Sequence, residues 1–237
     1  QFLNLTLGGA ALLKVPSVAA WPLSTGPQTM QLRYRVSERS RALGEATVDY
    51  RVEGETYRVG SHVEPKGKLA QLFAAELRER STGRWRNGRA EPLSYAYERS
   101  GLKSLERYYQ FDYEAGKLTV SDRAPLPIEC GVQDEPSHLL SLSQALQAGA
   151  EKVAFKVLYG SKAQIYDYHF ERGPVEQLSL ADQEWQTRRV TRVTSRGKYQ
   201  MTLWCAPELG YLPVKQVRVH NETGVLSELE LIAWQAG

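Results

Sequence analysis

Apolar and polar residues alternate with a period of two over several long stretches of this sequence. In the segment MQLRYRVS, apolar side chains occupy positions 30, 32, 34 and 36, and polar side chains lie between them. Successive side chains of a β-strand point to opposite faces of a sheet, so this alternation predicts a strand with one buried and one solvent-facing side. Because the pattern recurs along most of the chain, it restricts the fold to a sheet-dominated class.

Three pairs of predicted strands are separated by short turn sequences, which predicts three hairpins. Their turns fall at Gly54, at residues 114–117 and at residues 221–224. Residues 68–80 fit a helical pattern and a strand pattern about equally, and their strand-rich neighbours favour a strand. Together with further strands expected at residues 152–159, 163–171, 186–195 and 198–205, the pattern predicts about ten antiparallel strands.

One segment breaks the alternation and has the features of a helix. Pro136 stands near its start, leucines at positions 139, 140, 142 and 146 fall near one face, and Gly149 follows its end. Asp134 is placed to cap this helix or to interact with its positive end. We therefore predict a mostly β domain, an antiparallel curved sheet or incomplete β-barrel, with one amphipathic helix at about residues 136–148.

The first twenty residues differ from the rest of the chain. They hold one charge, Lys14, and a short apolar run, and they end in the small residues 17–20 before Trp21. This pattern is typical of a signal peptide, and the letters QFLN resemble the tail of a twin-arginine signal. A buried helix is the other interpretation, but Gly8-Gly9 and Pro16 disfavour it. We expect an exported, periplasmic protein with one β-rich domain over residues 21–237, which has no apolar stretch long enough to cross a bilayer.

The charge distribution gives little sign of a nucleic-acid partner. The formal net charge is +3, and no run of lysines or arginines resembles a nucleic-acid-binding tail. The most basic window is RSTGRWRNGR, with Trp85 among Arg80, Arg84, Arg86 and Arg89. This window could contact anionic polymers of the cell envelope, but a hairpin punctuated by glycine explains the same letters and is favoured.

Catalytic motifs are missing from the sequence. It contains no G-x-S-x-G, G-x-G-x-x-G or P-loop pattern, so we expect no cofactor and name no catalytic residue. In IYDYHFE, Asp167, His169 and Glu171 share one strand face, which makes Asp167 and His169 weak candidates for a metal site. A solvent-facing polar side explains them more simply. His62, His138 and His220 are isolated in sequence.

Cys130 and Cys205 are the two cysteines of the chain. Neither belongs to a C-x-x-C motif or to a Cys/His cluster, so metal-ligand spacing is absent. If the chain is exported, a disulfide between them becomes possible. Two separate buried thiols are the alternative.

Five stretches, taken in order, resemble the bacterial family known as domain of unknown function 3108. They are GEATVDYRVEGETYRV, PLSYAYERSG, YYQFDYEAGKLTV, QDEPSHLLSLSQAL and LWCAPELGYLPVKQVRV, and the likeness covers about residues 28–234. The matching positions include Gly44, Glu45, Pro92, Tyr95, Asp112, Gln133, Asp134, Trp204, Pro207 and Pro213.

The resemblance implies an exported envelope protein with a strand-rich, partly open barrel, similar in outline to periplasmic carriers of lipoproteins. It brings no established activity and therefore assigns no catalytic residue. Many relatives have an aliphatic residue where this chain has Cys205, so a disulfide there would be a local feature rather than one of the family.

Three functions remain open from the sequence. The first is a non-enzymatic envelope protein that binds a lipid, an acyl-bearing glycan or another apolar ligand in its concave sheet. The second is a structural module that contacts envelope polymers such as polysaccharide. The third is a hydrolase that uses carboxylates such as Asp112, Asp134 or Asp167. The observation that separates the first from the others is whether the concave face is an open apolar pocket or a packed core; the sequence leaves the oligomeric state open.

Overall fold

The computed structural model describes residues 28–67, 75–101, 103–193 and 199–237 of the 237-residue chain. The signal-like segment 1–20 therefore lies outside the described residues. So do residues 68–74 of the stretch whose pattern is ambiguous, whereas residues 77–80 of that stretch lie in a strand.

Fifteen strands, one α-helix and one short 3₁₀ helix make up the described part of the chain. The helix α1 (Ser137–Gln147) follows β9, and the 3₁₀ helix Pro207–Leu209 follows β13. The strands are β1 (Gln28–Glu38), β2 (Arg41–Glu53), β3 (Thr56–Pro65), β4 (Leu77–Arg86), β5 (Arg89–Arg99), β6 (Leu105–Asp112), β7 (Lys117–Val120), β8 (Arg123–Pro127), β9 (Gln133–Asp134), β10 (Lys152–Tyr159), β11 (Gln164–Leu180), β12 (Gln183–Val193), β13 (Tyr199–Ala206), β14 (Leu212–His220) and β15 (Leu226–Ala236).

The prediction of a mostly β fold with one helix near residues 136–148 is confirmed. The strand count of about ten was too low, partly because two short strands carry no alternation signal. β8 contains Pro125 and Pro127, which are tolerated because it is an edge strand, and β9 has only two residues.

All fifteen strands belong to one sheet, in the order β8-β7-β6-β5-β4-β3-β2-β1-β15-β14-β13-β12-β11-β10-β9. Neighbouring strands pair antiparallel except for β9 and β10, which are parallel. The chain thus builds a first wing (β1–β8) and a second wing (β9–β15), which meet where β1 pairs with β15. The three predicted hairpins and the favoured hairpin at residues 80–89 are all present.

The sheet curls until its two ends face each other, and side chains rather than a backbone ladder connect them. Gln133 Nε2 of β9 donates a hydrogen bond to the Ala90 carbonyl of β5 at 2.6 Å. Ser81 Oγ of β4 donates to Asp134 Oδ2 at 2.6 Å, and Tyr109 Oη of β6 donates to the Gly160 carbonyl, also at 2.6 Å. The fold is therefore a barrel that remains incomplete, as the sequence predicts.

Helix α1 lies inside the curl and fills part of it. Leu140 packs with residues of β1–β3, and Leu142 and Leu146 pack with residues of β10–β13. The helix is buried more extensively than an amphipathic surface helix, since its serines also face protein. Ser141 accepts the Ala90 N–H and donates to Gln133 Oε1, and Ser143 donates to the Gly210 carbonyl.

Gly44 of β2 allows the backbone of β3 to approach very closely. A Cβ at this position would lie 2.0 Å from the Glu64 carbonyl oxygen. We expect Gly44→Ala to lower the free energy of unfolding by about 2 kcal/mol or more, because two paired strands must separate to relieve the clash. Urea denaturation measures this.

Gly60→Ala in β3 is the matched control, since a Cβ there would meet no atom within 4 Å. We expect it to be neutral or to stabilise the fold by about 0.5 kcal/mol through the unfolded chain. Equal effects of the two substitutions would contradict the packing argument.

The contacts of Gln133 predict a second stability effect. Gln133→Leu leaves the Ala90 carbonyl without the Gln133 donor and the Ser141 hydroxyl without its acceptor, both in the interior. We expect a loss of about 2–4 kcal/mol in the free energy of unfolding. Gln31→Leu, on the exposed outer face, should change it by less than about 0.5 kcal/mol; a similar loss in both variants would argue against closure by Gln133.

Candidate functional site

The inward faces of β1–β4, β14 and β15 are not buried evenly. Towards the start of β1, inward side chains such as Leu32 and Tyr50 are almost fully buried. Further along these strands several inward side chains are only half-buried, although Tyr34 and Ala46 among them stay buried, so the interior is partly accessible to solvent there. We call this region the upper lumen; its walls are Val36, Val48, Ser61, Val63, Glu79, Gln216, Arg218 and Leu229.

A small apolar cleft forms part of the floor of the upper lumen. Its volume is about 70 Å³, and Pro136 and Leu139 of the helix segment close it from below. The remaining lining residues are Tyr34, Val48, Tyr50, Val59, Pro213, Gln216 and Leu229. This volume is smaller than the roughly 150 Å³ that holds a benzene ring, so the cleft admits only the end of an apolar chain.

Three carboxyl groups lie beside this floor. Asp134 accepts hydrogen bonds from Ser81 Oγ at 2.6 Å and from the backbone N–H of Ser137 at 2.7 Å, at the first residue of α1. Glu135 Oε2 accepts the N–H of Gly160 at 3.1 Å. Glu79 projects inward from β4 and accepts the hydroxyl of Tyr95. The cluster thus joins β4, β5, the start of the helix and the turn after β10.

Burial raises the pKa of all three carboxyl groups. It raises the pKa of Asp134 to about 6, against the hydrogen bonds from Ser81 and Ser137. It raises the pKa of Glu79 to about 7 and that of Glu135 to about 8; the charge of Glu79 adds to the shift of Glu135, and Arg218 opposes both. Carboxyl groups that hold protons near pH 7 are frequent at functional sites.

Cationic and aromatic groups face the carboxyl cluster from the second wing. The Arg192 guanidinium lies 4.4 Å from the centre of the Tyr168 ring, and that of Arg218 lies 5.4 Å from the Tyr199 ring. His138 stacks on Phe170, and burial lowers its pKa to about 4, so its ring is neutral at pH 7. The lumen therefore has an acidic wall and a basic wall.

Of the three carboxylates proposed for hydrolysis, the fold places only Asp134 in the interior. Asp112 is exposed and accepts the N–H of Ala115 within a turn, and Asp167 is exposed on β11. The neighbours of Asp134 are instead Glu79 and Glu135, which sequence reasoning did not single out. The inward position of Glu79 between Leu77 and Ser81 was a usable signal, but the strand assignment there was ambiguous.

The motif residues of the first wing have structural roles. Gly44 and Pro92 stand where paired backbones approach closely, Pro92 opposite Gly83 at a register shift. Tyr95 is buried and stacks on Tyr109 with ring centroids 5.3 Å apart. Glu45 forms a surface ion pair with Arg33 at 3.1 Å.

The motif residues of the second wing shape the chain around the 3₁₀ helix. Pro207 begins that helix, and the Pro213 carbonyl accepts the hydroxyl of Tyr34 at 2.7 Å. Trp204 Nε1 donates to Glu176 Oε2 at 2.6 Å. These contacts hold β13 and β14 against β1 and β11.

The two cysteines are not joined in the structure. Cys205 is buried in β13 among Leu203, Val190 and Phe170, whereas Cys130 is an exposed free thiol before β9. The possible disulfide is therefore not formed, because the strand register turns Cys205 into the core and the preceding loop leaves Cys130 at the surface.

The candidate metal ligands Asp167 and His169 are exposed on β11. Among the described residues, three potential ligands come together at His62, Glu64 and Glu76 instead. There His62 Nε2 lies 2.7 Å from Glu76, and Lys66 and Arg78 pair with the two carboxylates. An ion-pair network on the outer face accounts for this cluster.

The basic window at residues 80–89 is largely neutralised by its surroundings. Arg80 pairs with Glu98, and Arg84 and Arg86 both lie within 4 Å of Glu91. Trp85 packs against the core rather than standing free, and Arg89 lies over the Phe155 ring at 5.8 Å. This arrangement does not favour a surface that binds anionic polymers.

A larger groove of about 400 Å³ lies where β1, β2, β3 and β15 meet. Its lining includes Asp49, Arg51, Arg58, Gly60 and Gln235. The Gln31 amide donates to Asp49 Oδ1 at 2.7 Å, so part of the polar lining of the groove is already paired.

Among the described residues, no helix is both long enough and apolar enough to cross a membrane.

The raised pKa values predict a pH effect on stability. The folded chain holds carboxyl protons that the unfolded chain has released, so the free energy of unfolding falls as pH rises towards and through the folded pKa values. His138, with its lowered pKa, acts in the opposite direction below pH 6.5. Between pH 7 and 8.5 we therefore expect stability to decrease, and Glu135→Gln to reduce this decrease and to be more stable than the wild type at pH 8.5.

Urea titrations at several pH values measure this dependence. Glu106→Gln, at an exposed position of β6, is the control and should leave the pH dependence unchanged. An identical slope for Glu135→Gln and the wild type would refute the assignment.

Comparisons with known structures support the fold. A β-barrel-like protein of the DUF1849 domain family from Brucella abortus aligns with a TM-score of 0.58 at 10% identity, covering 90% of this chain and 98% of that one. A putative outer membrane lipoprotein-sorting protein domain from Vibrio parahaemolyticus aligns with a TM-score of only 0.21 at 9% identity, covering 90% and 86%, which supports no argument. A search of curated proteins gave no match.

The comparison with protein families gives a direct match. The family described as "Protein of unknown function (DUF3108)" matches residues 31–221, which include all but the first three residues of β1 and everything up to the turn after β14. The sequence-based resemblance is thus confirmed: this chain belongs to the DUF3108 family.

Proposed function

We propose that this protein is a non-enzymatic binding protein of the bacterial cell envelope that holds a lipid, or another ligand with an apolar end, in the upper lumen. The observation that carries the proposal is the half-buried inner surface at one end of the curl. Inward aliphatic side chains such as Val36, Val48 and Leu229 pack against the core there but are only partly buried, whereas inward residues such as Leu32 on the same strand faces are fully buried.

The size of the cleft limits how a ligand fits. A volume of about 70 Å³ is well below the roughly 300–1,000 Å³ of usual ligand pockets. The ligand therefore places only its apolar end in the cleft, and the rest of it lies in the open lumen above. The curved sheet supplies the walls, and helix α1 supplies the floor.

The envelope location rests on the first twenty residues. Their short apolar run and the small residues before Trp21 are typical of an exported precursor. We propose that residues 1–20 are a signal segment and that residues 21–237 form the functional domain. Lipids and acylated glycans are abundant ligands in that compartment.

A hydrolase is the second candidate, and one observation favours it. Glu79 and Glu135, which are partly accessible, and the buried Asp134 lie beside the lumen and have pKa values raised towards neutrality, as general acids do. Loss of hydrolysis of acyl or glycosyl substrates in Glu79→Gln and Glu135→Gln would support this candidate. Their hydrogen bonds to Tyr95 and Gly160 also explain them as structural groups.

Filling the cleft tests the binding proposal. Val48→Trp places a large ring against Tyr50, Val59 and Leu229. We expect it to weaken binding of the uncharged fluorescent probe N-phenyl-1-naphthylamine at least tenfold, because the ring occupies the space of the apolar end. Native mass spectrometry of the protein after gentle purification should also lose a co-purifying lipid in this variant.

Thr47→Trp is the control, since it adds the same ring to the outer face of the same strand. It should leave probe binding within about twofold of the wild type. If the wild type binds no probe and carries no lipid, the proposed function is wrong.

A further inference from the structure

Two arginines project into the lumen from the second wing, one on either side of Met201. Arg192 of β12 pairs across the sheet with Met201, and Met201 pairs in turn with Arg218 of β14. Directly paired residues share a sheet face, so both guanidinium groups lie on the inner side, flanking Met201.

Neither arginine is fully satisfied by the protein. Arg192 is only 6% exposed, and its Nε has no hydrogen-bond partner, although one of its terminal nitrogens donates to the Tyr199 carbonyl at 3.3 Å. Arg218 Nε is also buried without a partner. In the described part of the chain, neither forms an ion pair within 4 Å.

A buried arginine without a carboxylate partner, with a second, partly buried arginine across one strand from it, is costly to a fold. Burial lowers the pKa of Arg192 and the charge of Arg218 lowers it further, while Tyr168 and Glu135 act in the opposite direction without cancelling the effect. A buried charge is normally paired, and leaving it unpaired is strongly destabilising. An external anion that binds between the arginines together with the ligand would supply the missing negative charge.

The groups that face the arginines do not replace that anion. Tyr168 and Tyr199 offer their ring faces, and His138 is neutral at pH 7. Glu79 interacts with the charge of Arg218, and Glu135 with the charges of both arginines, but both carboxyl groups hold protons more readily than ordinary ones. When protonated, they present donors to the lumen, which suits an oxyanion rather than a cation.

We propose that Arg192 and Arg218 bind the anionic head of the ligand whose apolar end occupies the cleft, so that the ligand is an amphiphile with a phosphate or carboxylate group. Gln216, which lines the cleft, and Arg218 lie two residues apart on the same face of β14, so head and tail sites are contiguous. This inference rests on the proposed function, since it assigns the head of the ligand held there.

Dodecyl phosphate, dodecanol and inorganic phosphate are the probes that test the inference, with binding measured by calorimetry. We expect the wild type to bind dodecyl phosphate at least tenfold more tightly than dodecanol, because charge-assisted hydrogen bonds form only with the phosphate. Arg192→Gln and Arg218→Gln should each remove most of this difference and leave dodecanol binding unchanged. Arg189→Gln, on the outer face of β12, should behave as the wild type does.

A second readout separates binding from misfolding. Because Arg192→Gln and Arg218→Gln relieve repulsion, each should match or exceed the wild type in thermal stability without ligand. Dodecyl phosphate should raise the melting temperature of the wild type and of Arg189→Gln more than that of either lumen variant. If a variant is unfolded, the affinities of the wild type for dodecyl phosphate and for dodecanol give the deciding comparison.

The outcomes distinguish the two proposals. Equal binding of dodecyl phosphate and dodecanol would overturn the assignment of the arginines while leaving apolar binding in place. If the wild type binds inorganic phosphate, the arginine variants do not, and no amphiphile binds, the result would support an anion site and contradict the proposed function. Absence of all three interactions in the wild type would contradict both.

Discussion

The fold depends on how the two ends of one long sheet are held together. A sheet of fifteen strands leaves β8 and β9 as edges, and β9 is too short to close the curl through a ladder. The polar side chains of Gln133 and Asp134 instead reach β5 and β4, in an interior where an unmade hydrogen bond costs about 1–3 kcal/mol. Their geometry therefore fixes where the first wing lies relative to the second.

This closure also determines the character of the interior. Helix α1 begins three residues after Asp134, whose carboxylate accepts the N–H of Ser137, so the same contacts that close the sheet position the helix inside it and pack one end of the curl. The other end keeps inward side chains accessible, and charged groups from both wings face each other across it. A packed lower half and an open upper half are thus consequences of one connection, and the proposed site lies at their boundary.

The sequence predicted the elements better than the site. Alternation with period two identified the strands, and Pro136, the leucines and Gly149 identified the helix, because these signals depend on local geometry. Asp134 was placed correctly at the helix start, whereas Asp112 and Asp167 were candidates that the fold leaves at the surface. Glu79, Glu135, Arg192 and Arg218 carry no local signature, since their partners lie on distant strands.

The sequence by itself determined a strand-rich domain with one helix and membership of the DUF3108 family, because residue periodicity and ordered motifs are properties of neighbouring positions. It could not determine which inward positions become a core and which line an open lumen, since that depends on where the helix lies within the curl. The position of the cysteines was decided in the same way, since strand register turns Cys205 into the core and the loop before β9 leaves Cys130 at the surface. The tertiary structure decided these matters because burial, charge proximity and closure arise only when strands far apart in sequence meet.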